Sequence, residues 1–257
     1  MLIRELNFIM DNKLTTKNFW ESFWRGGETK EIKIEPVKSI PFSSLFKKHI
    51  PKSNKKALEI GCFPGALLAY ISKTFGYFPE GIDFVENIHE VCSKTLKING
   101  LNEYKIYHED FTKWEPKSKY GLVCSFGFIE HFDNPEEIMK KHIDLLEEGG
   151  KLVVEVPNFN GLRHFIARYT DKKTLEKHNM KVMDLDFYKK FAKKYNLKIN
   201  YLGPYGKFEY TWGNYHPTIL QKLIYYPFKI LSKLTFSYPF KNKLLSSWIL
   251  FIAEKQG

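Results

Sequence analysis

Short apolar runs alternate with amphipathic stretches over residues 56–202, and this alternation predicts strands followed by helices. Ala57-Leu58-Glu59-Ile60 is apolar except for Glu59 and reads as a buried parallel strand. Gly61 and Gly65 mark a tight turn, after which Ala66-Leu67-Leu68-Ala69-Tyr70-Ile71 opens a helix. A second strand ends with Asp83 at its carboxyl tip. Residues 85–99 read as the next helix, with Asp83 a candidate N-cap. Residues 104–108 alternate as a third strand and 120–126 form a fourth. Asp133-Asn134-Pro135 starts a helix expected to run to Leu146 and to stop at Gly149-Gly150. Residues 151–158 read as a fifth strand and 161–183 as a connector. Residues 184–195 follow as a helix capped by Asp184, then 197–202 as a sixth strand.

The flanks are patterned differently. Residues 18–27 read as a short helix ended by glycine, with Trp20 and Trp24 four apart on one side. Pro36, Pro41 and Pro51 punctuate an irregular lead-in to the first strand. Within 213–245, Ile219, Leu220, Leu223, Ile224, Phe228, Ile230, Leu231 and Leu234 recur at helical spacing. Lys222, Lys229, Lys233, Lys241 and Lys243 are interleaved, and Pro227 is expected to split the run into two short helices. Two readings stand for this stretch. One is an insertion packed on the core; the other is a surface touching acidic lipid or a lipid-linked substrate. Residues 247–253 close the chain as a buried strand.

Composition changes this picture little. At 257 residues the chain can bury a full core, and 43% hydrophobic with 27% charged residues is ordinary for a globular protein. The net charge of +11 admits an anionic partner, yet the lysines are scattered rather than blocked. Cys62, Cys92 and Cys124 have no zinc spacing and no C-x-x-C pair, so buried free thiols in a cytoplasmic protein are expected. The N-terminus lacks a signal-peptide pattern, and no apolar run reaches the roughly 18 residues of a spanning helix.

The strand–glycine–helix unit at 57–71 is the kind that places a ligand over a helix N-terminus at the carboxyl end of a sheet. A dinucleotide fingerprint requires G-x-G-x-x-G, whereas the spacing here is Gly61-x-x-x-Gly65 with Glu59 just before it. A diphosphate is repelled by that carboxylate, while a ligand with a cationic amine and a sulfonium is attracted to it. Asp83 lies about 20 residues after Gly61, where an acid accepts hydrogen bonds from a ribose diol, and Phe84 is placed to flank an adenine.

Residues 58–65 resemble the L-E-I-G-x-G-x-G motif of class I S-adenosylmethionine-dependent methyltransferases, with Phe63 in place of the middle glycine. Residues 120–132 resemble that family's F-D-x-V-x-S-x-x-x-x-E-H-x segment, with Gly121 in place of the aspartate. Leu145 to Leu152 resembles its L-K-P-G-G-x-L segment. The resemblance covers roughly residues 52–160 and is similar to small-molecule enzymes of the ubiquinone-pathway type. It implies an α/β, doubly wound, mostly parallel seven-stranded sheet (a Rossmann-like fold) with the last strand antiparallel. It also implies S-adenosylmethionine as cofactor. Glu59, Gly61, Cys62, Phe63 and Gly65 then surround the methionine part, Asp83 and Phe84 the ribose and adenine side, and Asp110 and Phe111 the adenine. Phe126 and Gly127 lie at the fourth strand's tip. Trp20 and Trp24 resemble the N-terminal segment of thiopurine-type methyltransferases, which closes over the cofactor. On this reading the chain is one domain over 1–257. It comprises a cap or lid (1–50), a cofactor-binding core (51–212), an aromatic and basic insertion (213–245) and a final strand (246–257).

The acceptor side is expected to involve Glu130, His131, Asn158 and His178, with His131 the candidate general base. The ubiquinone-pathway enzymes pair Glu-His here with another acid to hold a divalent metal. Gly127 stands where that acid is sought, so no metal is assigned. Three function classes follow: a small-molecule O-methyltransferase, with a sugar or lipid-linked compound among the acceptors it admits; a nucleic-acid methyltransferase; and a non-catalytic S-adenosylmethionine-binding protein. No N-P-P-Y-type motif or appended RNA-binding module supports the second.

Overall fold

The structure, a computed structural model, describes residues 13–26, 42–209, 218–234 and 240–257. Gly27, Pro36, Pro41 and the start of the 213–245 stretch lie outside them. The strands are β1 (Lys56–Ile60), β2 (Phe78–Asp83), β3 (Lys105–His108), β4 (Tyr120–Phe126), β5 (Leu146–Pro157), β6 (Leu197–Tyr205) and β7 (Trp248–Lys255). The helices are α1 (Lys17–Gly26), α2 (Ser43–His49), α3 (Ala66–Phe75), α4 (Ile88–Ile98) and α5 (Pro135–Asp144). They continue as α6 (Leu162–Thr170), α7 (Lys172–Glu176), α8 (Leu185–Lys194) and α9 (Ile219–Leu234).

The seven strands form one sheet in the order β3-β2-β1-β4-β5-β7-β6. β7 runs antiparallel to both its neighbours, and the pairs from β3 through β5 are parallel. Strand order reverses between β1 and β4, which opens a crevice at their carboxyl ends. This is the doubly wound, seven-stranded fold expected, with its last strand antiparallel.

Both faces are covered because successive strand residues point to opposite sides. On one face Leu58, Ile60, Val123, Val154 and Phe251 pack with Ile138 and Met139 of α5 and Tyr188 and Phe191 of α8. On the other, Ala57, Leu122, Val153 and Leu250 pack with Phe46 of α2 and Tyr70 and Ile71 of α3. Near-continuous apolar runs, rather than alternation, are what such doubly buried strands require.

β6 and β7 run two or three residues past their expected ends, and four larger differences from expectation have local reasons. α4 starts at Ile88 behind Asn87, so Asp83 does not cap it; the Asp83 carboxylate instead takes the N–H of Val85 in the turn before. α5 stops at Asp144, and β5 already starts at Leu146, which pairs with Tyr120 before Lys151 pairs with Leu122. Residues 147–150 bulge out of the ladder between those pairs, with Gly149 at φ 73°. The 161–183 connector contains α6 and α7. Finally, α9 is one helix with Pro227 inside it. Proline removes one helical hydrogen bond at a cost of about 3 kcal/mol. Ile224, Tyr225, Phe228 and Leu231 on the inner face pack against the core and offset that cost. Asp184 caps α8 as expected, accepting from Asp186 N–H, and the three cysteines are free and buried.

One buried polar pair under β4 sets an acid limit on stability. His142 of α5 is fully buried, with Nδ1–H donating to the Ile138 carbonyl at 2.7 Å and Nε2 3.0 Å from the Ser125 hydroxyl. Burial pulls its pKa down from 6.5 to about 4. The folded pKa lies below the unfolded one, so stability is intact above 6.5 and is lost as pH falls toward 4. The loss amounts to about 3 kcal/mol. Urea unfolding at pH 7 and pH 4.5 is expected to show a steeper fall for wild type than for His142→Gln. Equal slopes would exclude this histidine as the cause.

Candidate active site

A cavity of about 280 Å³ opens at the carboxyl ends of β1, β2 and β4, on the crevice side of the sheet. β1 delivers Glu59 and then turns sharply. Gly61 and Cys62 both donate backbone N–H groups to the Ile82 carbonyl, which ties this turn to β2. Gly61 has φ 72°, and a Cβ there would stand 2.9 Å from the Phe128 ring. Gly65 has φ 92° and starts α3 as its N-cap residue. Only glycine meets such backbone conformations without strain. Position 63 needs no such freedom, because Asn196 is the one described non-glycine residue at positive φ. Phe63 therefore replaces the motif's middle glycine without backbone penalty. Its ring is 5% exposed among Cys62, Val85 and Cys92, and Trp24 meets it edge-on at 5.1 Å.

Four carboxylates line this cavity, and beside the exposed Glu109 three of them, Glu59, Asp83 and Asp110, come from the ends of successive strands. Glu59 is buried, and its Oε2 has no hydrogen-bond partner. Burial pushes its carboxyl well above the usual carboxylate range; a hydrogen bond from the Leu68 backbone opposes this and the Asp83 charge adds to it. Asp83 accepts from Phe63 N–H through Oδ2 and from Val85 N–H through Oδ1, both at 3.2 Å, which leaves one lone pair on each oxygen. Burial raises its pKa against the pull of the Phe63, Val85 and Phe84 backbone N–H groups. Asp110 pairs with Lys13 Nζ at 2.6 Å and accepts from Thr112 N–H and hydroxyl. Burial pushes this carboxyl up, but Lys13 and Thr112 outweigh it and hold the pKa below the usual value.

α1 lies against the cavity. Trp20 donates its indole N–H to Thr15 at 3.0 Å and meets the His131 ring edge-on at 4.9 Å. Leu14 N–H donates to the His131 carbonyl, so the N-terminal strap is stitched to the loop after β4. His131 ends the short helical turn Ile129–His131. Its Nδ1–H donates to the Lys177 carbonyl at 2.9 Å, which leaves Nε2 as the free lone pair. Burial, with His178 beside it, pulls the His131 pKa down to about 3. It is neutral at physiological pH and a weak base.

Of the residues singled out from sequence, Glu59, Gly61, Phe63, Asp83, Phe84, Asp110, Phe111, Phe126, Gly127, Trp20, Trp24 and His131 line this one cavity. Cys62 and Gly65 lie behind its wall: Cys62 packs under Gly81, and Gly65 against Cys92. Glu130 and His178 sit behind His131. Asn158 does not reach the cavity. It is fully buried, donates to the Lys243 and Ser246 carbonyls and accepts from Asn160 N–H, so it ties β5 to the chain before β7. Lys13, Thr15, Phe128 and Phe132 also line the site and were not singled out. Nothing local marks Lys13, whose partner Asp110 is distant in sequence. Phe128 and Phe132 lie in the strand-tip loop that the fold rule already points to.

The unpartnered buried oxygen of Glu59, the two spare lone pairs of Asp83 and the aromatic walls fit an adenosyl sulfonium, which brings a cationic amine and a ribose diol. Comparison with known proteins agrees. The methyltransferase-domain family matches residues 39–202, and the chain belongs to this family, whose cofactor is S-adenosylmethionine. A mitochondrial ubiquinone biosynthesis O-methyltransferase from Dictyostelium discoideum is 22% identical over 46% of this chain and 40% of its own length. The ubiquinone biosynthesis O-methyltransferase of Coxiella burnetii is 24% identical over 62% of this chain and 67% of its own. Pavine N-methyltransferase from Thalictrum flavum is 29% identical over 40% of this chain and 30% of its own. The aligned region thus spans less than half of some curated relatives. Among solved structures, a methyltransferase from Thiobacillus denitrificans with S-adenosyl-L-homocysteine has a TM-score of 0.55 at 13% identity, over 91% of this chain and 97% of that one. Coclaurine N-methyltransferase with N-methylheliamine and S-adenosyl-L-homocysteine has a TM-score of 0.54 at 15% identity, over 89% and 77%. These two likenesses show the fold.

Proposed function

We propose that this member of the methyltransferase-domain family moves a methyl group from S-adenosylmethionine to an oxygen of a small-molecule acceptor. The observation that carries the reading is the convergence of Glu59, Asp83 and Asp110 with His131 on one cavity. The ubiquinone biosynthesis relatives are named as O-methyltransferases, which supports oxygen; the pavine relative is named for nitrogen and supports the small-molecule class.

When bound, S-adenosylmethionine supplies an electrophilic methyl group. The chain's own residues place the partners and keep water out, which provides much of the rate in an in-line displacement. Glu59 balances the ligand's positive charge, Asp83 orients the ribose, and Asp110 with Phe111 borders the adenine end. Trp20 and Trp24 of α1 cover the opening. His131 marks the acceptor end. With its pKa near 3 it takes a proton only weakly, so the acceptor is a group that ionises readily, such as a phenol or carboxylic acid, or one activated by other means.

The acceptor is further proposed to be lipid-borne or to be met at a lipid surface. α9 exposes Ile219, Leu220, Leu223, Tyr226, Ile230 and Leu234, and the neighbouring α6 exposes Phe165 and Tyr169. Lys222, Lys229 and Lys233 are interleaved on α9. An apolar stripe with flanking lysines suits the interface of an anionic bilayer, and no helix of the described residues is long and apolar enough to cross one.

The test is transfer of labelled methyl to aqueous metabolite, lipid and RNA fractions. Label is expected in an organic-soluble small molecule, together with sedimentation on vesicles containing acidic lipid. Label in RNA would replace this reading with a nucleic-acid one. Cofactor binding without transfer to any fraction would leave a non-catalytic binder.

A further inference from the structure

Behind the cavity wall lies a cluster that the reading above does not use. Glu130, His131 and His178 each offer one ligand atom, and these atoms lie within 4.8 Å of one another. Glu130 and His131 come from the turn after β4, and His178 follows α7. The two imidazole centroids are 4.8 Å apart.

Both rings are held in the same way. His131 Nδ1–H donates to the Lys177 carbonyl at 2.9 Å, and His178 Nδ1–H donates to the Thr174 carbonyl at 2.5 Å. A carbonyl only accepts, so each Nδ1 carries the proton and each Nε2 keeps its lone pair. Backbone anchoring of this kind fixes the tautomer of metal-ligating histidines. Glu130 is 1% exposed, its Oε1 is 3.6 Å from His131 Nε2, and its Oε2 has no hydrogen-bond partner.

The three inward atoms of the ionised cluster are therefore all acceptors, with no donor among them. A buried acceptor group left unmatched is costly, and a cation resolves all three at once. Glu155, also buried, lies beside Glu130, and the buried Tyr188 hydroxyl near both carboxyls has no partner. Two imidazoles and one carboxylate are a donor set for a borderline first-row ion and leave coordination positions open. Ligands at about 2.1 Å in a tetrahedral site stand roughly 3.4 Å apart, close to the Glu130–His131 separation already present.

We propose that Glu130, His131 and His178 bind one divalent ion of the zinc–manganese type at the inner wall of the cavity. His131 is shared between this site and the cavity, so the ion borders the acceptor end. Gly127 leaves no acid within the loop, and the third ligand instead arrives from the segment after α7. Acidifying an acceptor hydroxyl is the chemistry such an ion supplies, and that role alone rests on the proposed methyl transfer. Ion binding does not.

Calorimetric titration of the metal-free full chain with Zn²⁺ and Mn²⁺ tests the site. One equivalent is expected, with Mg²⁺ far weaker because it prefers oxygen ligands. His178→Ala and Glu130→Gln should each weaken Zn²⁺ binding at least about 100-fold, while His164→Ala on α6 leaves it unchanged. Co²⁺ substitution should give the intense visible absorption of a four- or five-coordinate site, lost in His178→Ala. His178 is only partly buried, so if Glu130→Gln fails to fold, His178→Ala with retained S-adenosylmethionine affinity still decides the matter. No saturable binding, or full binding by His178→Ala, would overturn the proposal. Methyl transfer by a chain that binds no ion would sink the metal site alone, and ion binding without transfer would sink only the proposed function.

Discussion

Replacing Asp83 by alanine is expected to weaken S-adenosylmethionine binding about 100- to 1,000-fold. Each Asp83 oxygen already accepts one backbone N–H, from Phe63 or Val85, at 3.2 Å, and each keeps one lone pair for the ligand. A hydrogen bond to a charged group contributes about 1.5–3 kcal/mol, so two to the ribose diol, each near the lower end because the carboxylate is already shared with backbone donors, contribute roughly 3–4 kcal/mol. Every 1.4 kcal/mol is tenfold in affinity. The backbone donors make the loss larger, because alanine leaves Phe63 N–H and Val85 N–H unmatched and loosens the turn that shapes the cavity. Asp83→Asn should lose somewhat less, since it keeps one strong acceptor oxygen of the two. Titration calorimetry on folded variants, with thermal unfolding as the check on folding, reads both effects. Affinity within tenfold of wild type for a folded Asp83→Ala would remove Asp83 from the ribose site.

Asp83 also illustrates what the sequence makes legible. Its place at a strand tip follows from the apolar run before it and from the glycine turn of the strand beside it. The fold follows from the same signal, because doubly buried strands read as apolar runs and their helices as amphipathic ones. Glu59, Asp83 and Asp110 converge since parallel strands in one sheet end on one edge. What stayed illegible depends on pairings between distant positions. Lys13 reaches Asp110 and His178 reaches His131, and no local pattern announces either contact. Asn158 misled for the opposite reason: at a strand's end it resembles a ligand residue, but the approach to β7 consumes its hydrogen bonds. Pro227 announced a helix break, yet packing of α9's inner face overrode that local preference.

Glu59 should make cofactor affinity rise with pH. In the ligand-free protein, burial pushes its carboxyl well above the usual range, and Oε2 has no partner. A cationic ligand stabilises the ionised form, so binding expels a proton from that carboxyl. Affinity therefore increases as pH climbs toward the raised pKa and then levels off. Titrations below roughly pH 7.5 keep the ligand's own amine charged. In buffers of different ionisation enthalpy, the observed binding heat should vary for wild type and be nearly constant for Glu59→Gln. That variant should also bind about 10- to 100-fold more weakly, having lost a charge-assisted contact. Stability runs the other way. An acid whose folded pKa is raised contributes stability below its unfolded pKa and loses it as pH climbs through the folded pKa. Ligand-free Glu59→Gln should accordingly match or exceed wild type in thermal stability at pH 7–8, while the ligand stabilises it less. A gain in stability joined to a loss in binding is the expected mark of a side chain held in an unfavourable place for its ligand. A Glu59→Gln chain that is both less stable and unchanged in affinity would show that this carboxyl serves packing alone.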